Sequence, residues 1–190
     1  MEFKWINIRD KLITQELLDE FKSGNSVFDE FLREKAGDWQ DFSEAATYVF
    51  VTTDDIEAGK IDKIYGYASI NATGLLYDND RGEKQYLSCA EIRMFAIHKS
   101  LHKRHDPGVK FSKILFTMVL QNLYVMSTHD IGFRAIFLNS NDQGYSLYKE
   151  CGFSEVSGYL TAETEDKLDI EGTKPLIMFI NEGITDLLFV

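Results

Sequence analysis

The stretch Asn141-Asp-Gln-Gly-Tyr-Ser-Leu-Tyr148-Lys-Glu-Cys-Gly152-Phe153 follows an apolar strand candidate, Phe133-Arg-Ala-Ile-Phe-Leu138. It reads as a short capped helix that stops at a glycine. The end of a strand followed by a polar turn is where an α/β protein usually places its chemistry. Tyr148 is therefore singled out among nine tyrosines; the alternative is a packing aromatic with its hydroxyl in water. A second candidate region lies between His98 and Lys113. It holds Lys99, Lys103, Arg104, Lys110 and Lys113 with three of the four histidines, against the single acid Asp106. Such a cluster on an acidic chain points to a compact anionic ligand such as a phosphorylated cofactor; the alternative is a solvated loop. His98, His102 and His105 approach a metal spacing without motif context, so no metal site is expected. Cys151 has no histidine partner in sequence and reads as a packing residue at a helix end.

These residues need elements to position them. Phe3 to Ile8 alternates like a strand, and Thr14 opens a short helix reaching about Phe21. Ser26 is expected to cap a second helix from Val27 to about Ala36. Thr47 to Thr52 and Ile64 to Ile70 form a hairpin around a turn at Asp54 to Gly59. A polar excursion from Tyr77 to Gly82 leads into a long strand from about Tyr86 to His98. Apolar residues at Phe111, Ile114, Leu115, Met118, Val119 and Leu123 give one buried helical stripe up to about Met126. Asp142 to Cys151 is helical, Phe153 to about Ala162 is a strand, and Leu176 to Ile180 is a last buried strand. The order predicts a mixed sheet flanked by helices in a single α/β domain over residues 1–190. The unit from the Tyr86 strand through the long helix to the Phe133 strand should be parallel and right-handed.

Composition narrows the function classes. The net charge of −11 argues against nucleic acid and anionic lipid as partners. No apolar run approaches a membrane span, and the charged amino terminus does not resemble a signal peptide. Two cysteines, Cys89 and Cys151, supply neither a disulfide framework nor zinc spacing, and a reduced cytoplasmic compartment is the expectation.

The element order and the Asn141 to Phe153 segment together resemble the GCN5-related N-acetyltransferase (GNAT) superfamily. Asn141, Gly144, Leu147, Tyr148, Gly152 and Phe153 fill the positions of its motif. The resemblance implies a central mixed sheet of six or seven strands, splayed between two parallel strands, with about four helices. It implies acetyl-CoA as acyl donor and a primary amine as acceptor, joined by direct attack. Pantetheine would pair with Phe95, Ala96, Ile97 and His98. The pyrophosphate would meet Lys103, Arg104, Gly108, Val109, Lys110, Phe111 and Ser112 at the start of the following helix, where free N–H groups favour anions. Asn141 and Gly144 belong to the same cofactor set. Tyr148 would be the general acid for the departing thiolate, and Glu91 would be the base, directly or through water.

The phosphate loop departs from the family form, Gln/Arg-x-x-Gly-x-Gly/Ala. Here Arg104-His-Asp-Pro-Gly108-Val-Lys-Phe-Ser112 has Gly108 alone. Lys110 and Ser112 are expected to replace part of the amide cradle. The same departure motivates an alternative from another class, a non-catalytic CoA-binding or interaction module. A second alternative comes from Phe21 to Asn25 and Phe28 to Arg33, which resemble the toxin branch of the superfamily, with Ser23-Gly24 in place of its Cys-Gly. That branch acetylates aminoacyl-tRNA and is partnered by a small antitoxin. The apolar tail from Ile184 to Val190 leaves a homodimer open.

Overall fold

The computed structural model describes residues 1–156, 158–161 and 172–180. Among them the strands are β1 (Phe3–Asn7), β2 (Ala46–Thr52), β3 (Gly66–Asp78), β4 (Lys84–Ile97), β5 (Ala135–Ser140), β6 (Ser154–Glu155), β7 (Leu160–Thr161) and β8 (Lys174–Phe179). The α-helices are α1 (Gln15–Glu20), α2 (Ser26–Glu30), α3 (Ala36–Asp41), α4 (Thr53–Glu57), α5 (Phe111–His129) and α6 (Asp142–Glu150). The strand order is β1-β2-β3-β4-β5-β8-β6, with β7 paired to β3. Parallel pairing joins β4 to β5, as the connection through a long helix requires. The fold is the mixed α/β arrangement that the element order implied. The chain divides into two compact units, Met1–Ile70 with Met94–Met118, and Asn71–Arg93 with Val119–Val190.

In the first unit, β1, β2 and β3 form an antiparallel meander with Trp5 opposite Phe50 and Thr47 opposite Ser69. The Thr47 and Ser69 hydroxyls are buried and satisfy each other at 3.1 Å. The core gathers Phe21, Phe31, Leu32, Val49, Val51, Ile64, Tyr67 and Ala96. Tyr67 ties the helices to the sheet, its hydroxyl donating to the Phe28 carbonyl at 2.9 Å. Burial holds that phenol well above its ordinary value.

Several boundaries differ from the sequence reading. Asn25, not Ser26, caps α2, because its side-chain oxygen accepts from the Val27 amide at 3.0 Å. The helical run then passes through a π-helical turn, Phe31–Lys35, which buries Phe31 and Leu32 together, and reaches Asp41. The expected turn at Asp54 is the short helix α4, capped by the Thr52 hydroxyl. The expected strand from Phe153 is two two-residue strands, β6 on β8 and β7 on β3.

In the second unit, Leu75, Leu87, Cys89, Ala135, Phe137 and Ile177 form the core. The parallel ladder is short: Cys89, Ala90 and Glu91 face Ala135, Ile136 and Phe137, and there it ends. Strand β5 continues along β8 to the Ser140–Lys174 pair. Strand β4 also changes its aim. The Ser88 carbonyl accepts from Arg134, which leads into β5, whereas the His98 amide donates to Tyr65, which leads into β3. Ten residues separate them, so a regular strand would aim both at one neighbour. Strand β4 therefore carries a bulge between Ser88 and His98, a device that re-aims side chains and ends pairing.

Candidate active site

The second unit holds Asn141, Gly144, Tyr148 and Glu91. Asn141 is the N-cap of α6, and its Oδ1 accepts from the Gly144 amide at 2.9 Å. This is a structural duty for a residue expected to serve the cofactor. A Cβ at Gly144 would lie 2.6 Å from Cε2 of Tyr148, because the tyrosine folds back one turn onto it. The small residue is therefore required by the ring. The helix ends in a Schellman motif: the Phe153 amide donates to the Tyr148 carbonyl and the Gly152 amide to the Lys149 carbonyl, both at 3.1 Å. Gly152 takes φ +92°, in the left-handed region that glycine occupies without a Cβ clash. The Phe153 ring packs 6.2 Å from that of Tyr148. Tyrosine, glycine and phenylalanine are thus spaced by the geometry of one helix stop. Desolvation first, then the neighbouring Cys151, pushes the Tyr148 phenol above its ordinary value, so it remains a proton donor at neutral pH.

Glu91 sits in the middle of β4, since the strand begins at Lys84 rather than near Tyr86. It lies opposite Phe137 at the last rung of the parallel ladder. Its carboxylate is 19% exposed and 3.9 Å from Nε of Arg93. Neither cysteine offers a nucleophile: both are buried, and burial pushes the Cys89 thiol up to about 12.

The first unit holds the expected cofactor residues from Phe95 to Ser112. Alternation along β4 divides the pantetheine candidates. His98 spends its amide on Tyr65 at 2.8 Å, and the carbonyl of Ala96 lies against Gly66, where a Cβ would stand 2.8 Å from it. Phe95 and Ile97 therefore aim their peptide groups to the other edge of β4. Of the four expected residues, only these two turn their peptide groups to that edge. The His98 ring has a separate role. Its Nδ1 accepts from the Ser100 amide at 3.0 Å, which assigns the proton to Nε2, and the Ser100 hydroxyl accepts from Lys63 at 2.9 Å. Desolvation, then Lys63 and Lys99, lowers the His98 pKa to about 4. It is a buried neutral imidazole.

Beyond His98 the chain forms a hairpin-like turn. Asp106 and Val109 share a 2.9 Å backbone bond, Phe111 donates to Arg104 at 3.2 Å, and His105 bridges Lys110. Gly108 takes φ +89° at the tip. Lys103 also adopts a positive φ, +59°, where glycine would be free of strain. The amides of Arg104, Asp106 and Phe111 are spent within the turn. Lys103, Arg104 and Lys110 are exposed at the turn. The Lys110 carbonyl accepts from Lys113 and Ile114, opening α5. Phe95 packs on Phe116 of that helix at 5.0 Å. The toxin-like turn is held in the same unit: Asp29 accepts from the amide and hydroxyl of buried Ser23, and the Lys22 carbonyl accepts from Lys99. A cavity of about 230 Å3 beside it is lined by Leu17, Phe21, Lys63 and His98 among others.

Sequence reasoning missed Asn139. Its side-chain oxygen is buried on β5 without a hydrogen-bond partner. The signal was available, since alternation from Phe137 places position 139 on the same face.

No family model matches the sequence, and no curated protein does. Solved structures do share the fold. A bacterial toxin superposes with TM-score 0.73 at 16% identity, over 99% of this chain and 96% of that one. A tyrosine-to-phenylalanine mutant of the AtaT toxin, bound to the C-terminus of the antitoxin AtaR and acetyl-CoA, gives 0.69 at 13% over the full length of both. AtaT complexed with acetyl-methionyl-tRNAfMet gives 0.68 at 14%, again over both full lengths. At such identities the likeness is one of fold, and the fold is the GNAT arrangement of these toxins.

Proposed function

We propose that this chain is an N-acetyltransferase that moves the acetyl group of acetyl-CoA to a primary amine. The observation that carries the reading is Tyr148, held over Gly144 by a cap at one end of α6 and a Schellman stop at the other. The amine nitrogen attacks the thioester carbonyl, the C–S bond breaks, and the thiolate takes the Tyr148 proton. Glu91, at the last rung of the parallel ladder, receives the proton lost by the amine. Phe95 and Ile97 offer peptide groups to the pantetheine arm. Lys103, Arg104 and Lys110 hold the phosphates by charge.

The first unit favours a more specific acceptor, the α-amino group of an aminoacyl-tRNA. Two observations support it: the toxin-like Phe21 to Asn25 turn is tied to Lys99, and AtaT, similar over its whole length, is known with acetyl-methionyl-tRNAfMet. A small antitoxin would then be the protein partner.

Thermal-shift titration with acetyl-CoA tests the core of the reading. A midpoint that rises with cofactor concentration is expected. A flat midpoint at millimolar acetyl-CoA rejects the enzyme; stabilisation without turnover on any amine leaves the non-catalytic CoA-binding module.

A further inference from the structure

Asn139 carries an unmet hydrogen-bonding need beside the proposed base. Its Oδ1 is buried and makes no hydrogen bond, a condition that is destabilising when nothing satisfies it. Thr53 and Asn71 share the condition, but neither lies on β4 or β5. Register fixes the face. Phe137 is opposite Glu91 on one side and Ile177 on the other, and Asn139 is two residues further along β5. Glu91, Phe137 and Asn139 therefore share one face. Adjacent strands lie about 4.8 Å apart and two residues advance about 6.6 Å, so a glutamate and an asparagine side chain from these positions reach one small group. The end of α6 belongs to the opposite face. A Cβ built on Gly152 would lie 3.8 Å from the Met178 sulfur, and Met178 pairs with Ile136, one residue out of phase with Phe137. Acid and base thus approach from opposite faces of β5.

We infer that Asn139 Oδ1 accepts a hydrogen bond from the acceptor amine and selects primary amines, on the face where Glu91 takes the other proton. The inference rests on the acetyltransferase reading. A primary amine brings two N–H bonds. One proton passes to Glu91 as the C–N bond forms and the C–S bond breaks, while the thiolate takes the Tyr148 proton. The second N–H survives in the product amide and remains bonded to Asn139. A secondary amine has no second N–H and leaves Asn139 unsatisfied. A site that hydrogen-bonds one substrate and leaves its own polar group orphaned by another discriminates strongly.

The test compares wild type with Asn139→Leu, using phenylalanine methyl ester and its N-methyl counterpart as probe amines. Wild type should favour the primary amine by about tenfold or more. Asn139→Leu should lose most of that preference through a raised amine KM, with the acetyl-CoA KM unchanged and the melting temperature equal or higher. An unchanged preference overturns the inference. If wild type acetylates neither probe, nor aminoacyl-tRNA, the acetyltransferase reading is what has failed. The subsite is then read from stabilisation by the primary amine alone: a shift in wild type that Asn139→Leu abolishes supports it, and equal shifts, none included, overturn it.

Discussion

The α6 segment and the Arg104–Ser112 turn present a motif in two different conditions. In α6 every distinctive residue has a mechanical cause: Asn141 caps, Gly144 makes room, Gly152 stops the helix and Phe153 seals it. The tyrosine they hold is the one member whose hydroxyl none of these duties requires. In the turn the mechanical part has been replaced. Backbone amides close a hairpin, and exposed cations remain where glycines would have admitted phosphate. Scaffold is retained in one region and charge in the other. The spacing of the α6 motif is thus accounted for by the fold, whereas phosphate binding at the turn rests on the proposed role of its cations.

Four variants would sharpen or break this contrast. Tyr148→Phe should lower turnover by roughly a hundredfold, the scale of general acid catalysis. Acetyl-CoA binding and the melting temperature should barely move, because the ring and its packing are retained. Combined replacement of Lys103, Arg104 and Lys110 by alanine should weaken acetyl-CoA binding by about tenfold and flatten its salt dependence. Calorimetric titration at two ionic strengths reads both, and unchanged affinity would show that side-chain charge is not the cradle. Gly152→Ala forces a side chain into the left-handed region. It should cost about 1 kcal/mol, or about 2–4 °C in melting temperature for a chain of this size.

A pH-dependent effect concerns His98, which leads into the turn. Its folded pKa of about 4 lies below the ordinary 6.5, so the unfolded chain binds more protons between those values. His98 thus contributes falling stability as pH drops from about 6.5 to about 4, and none of that loss above 6.5. His98→Gln should reduce that slope in acid melts. An identical slope would place the titrating group elsewhere.

The same contrast explains what was legible in the sequence. The Asn141 to Phe153 spacing was readable because a cap and a Schellman stop are local, each closed within four or five residues. Strand β5 was readable from its compact apolar run and helix α5 from its long apolar period. What escaped depends on partners distant in sequence. Nothing near Ser88 announces that β4 will re-aim before His98, because a bulge is defined by both neighbouring strands. The turn at Arg104 looked like a loop short of glycine; the bond from Phe111 to Arg104 makes it a hairpin. His98 was grouped with the cations, yet its ring is neutral and committed to Ser100. Asn139 lies one residue past the strand read from apolar residues alone, so alternation gave its face but not its orphaned oxygen.

The most direct measurement of the central claim is product stoichiometry in a single reaction of wild type with acetyl-CoA and aminoacyl-tRNA or a free primary amine. Free CoA thiol is titrated while mass spectrometry counts the acetylated amine. Equimolar formation of the two, dependent on the amine, is the predicted result. Thiol release without an acetylated amine, or neither product from an enzyme saturated with acetyl-CoA, contradicts it.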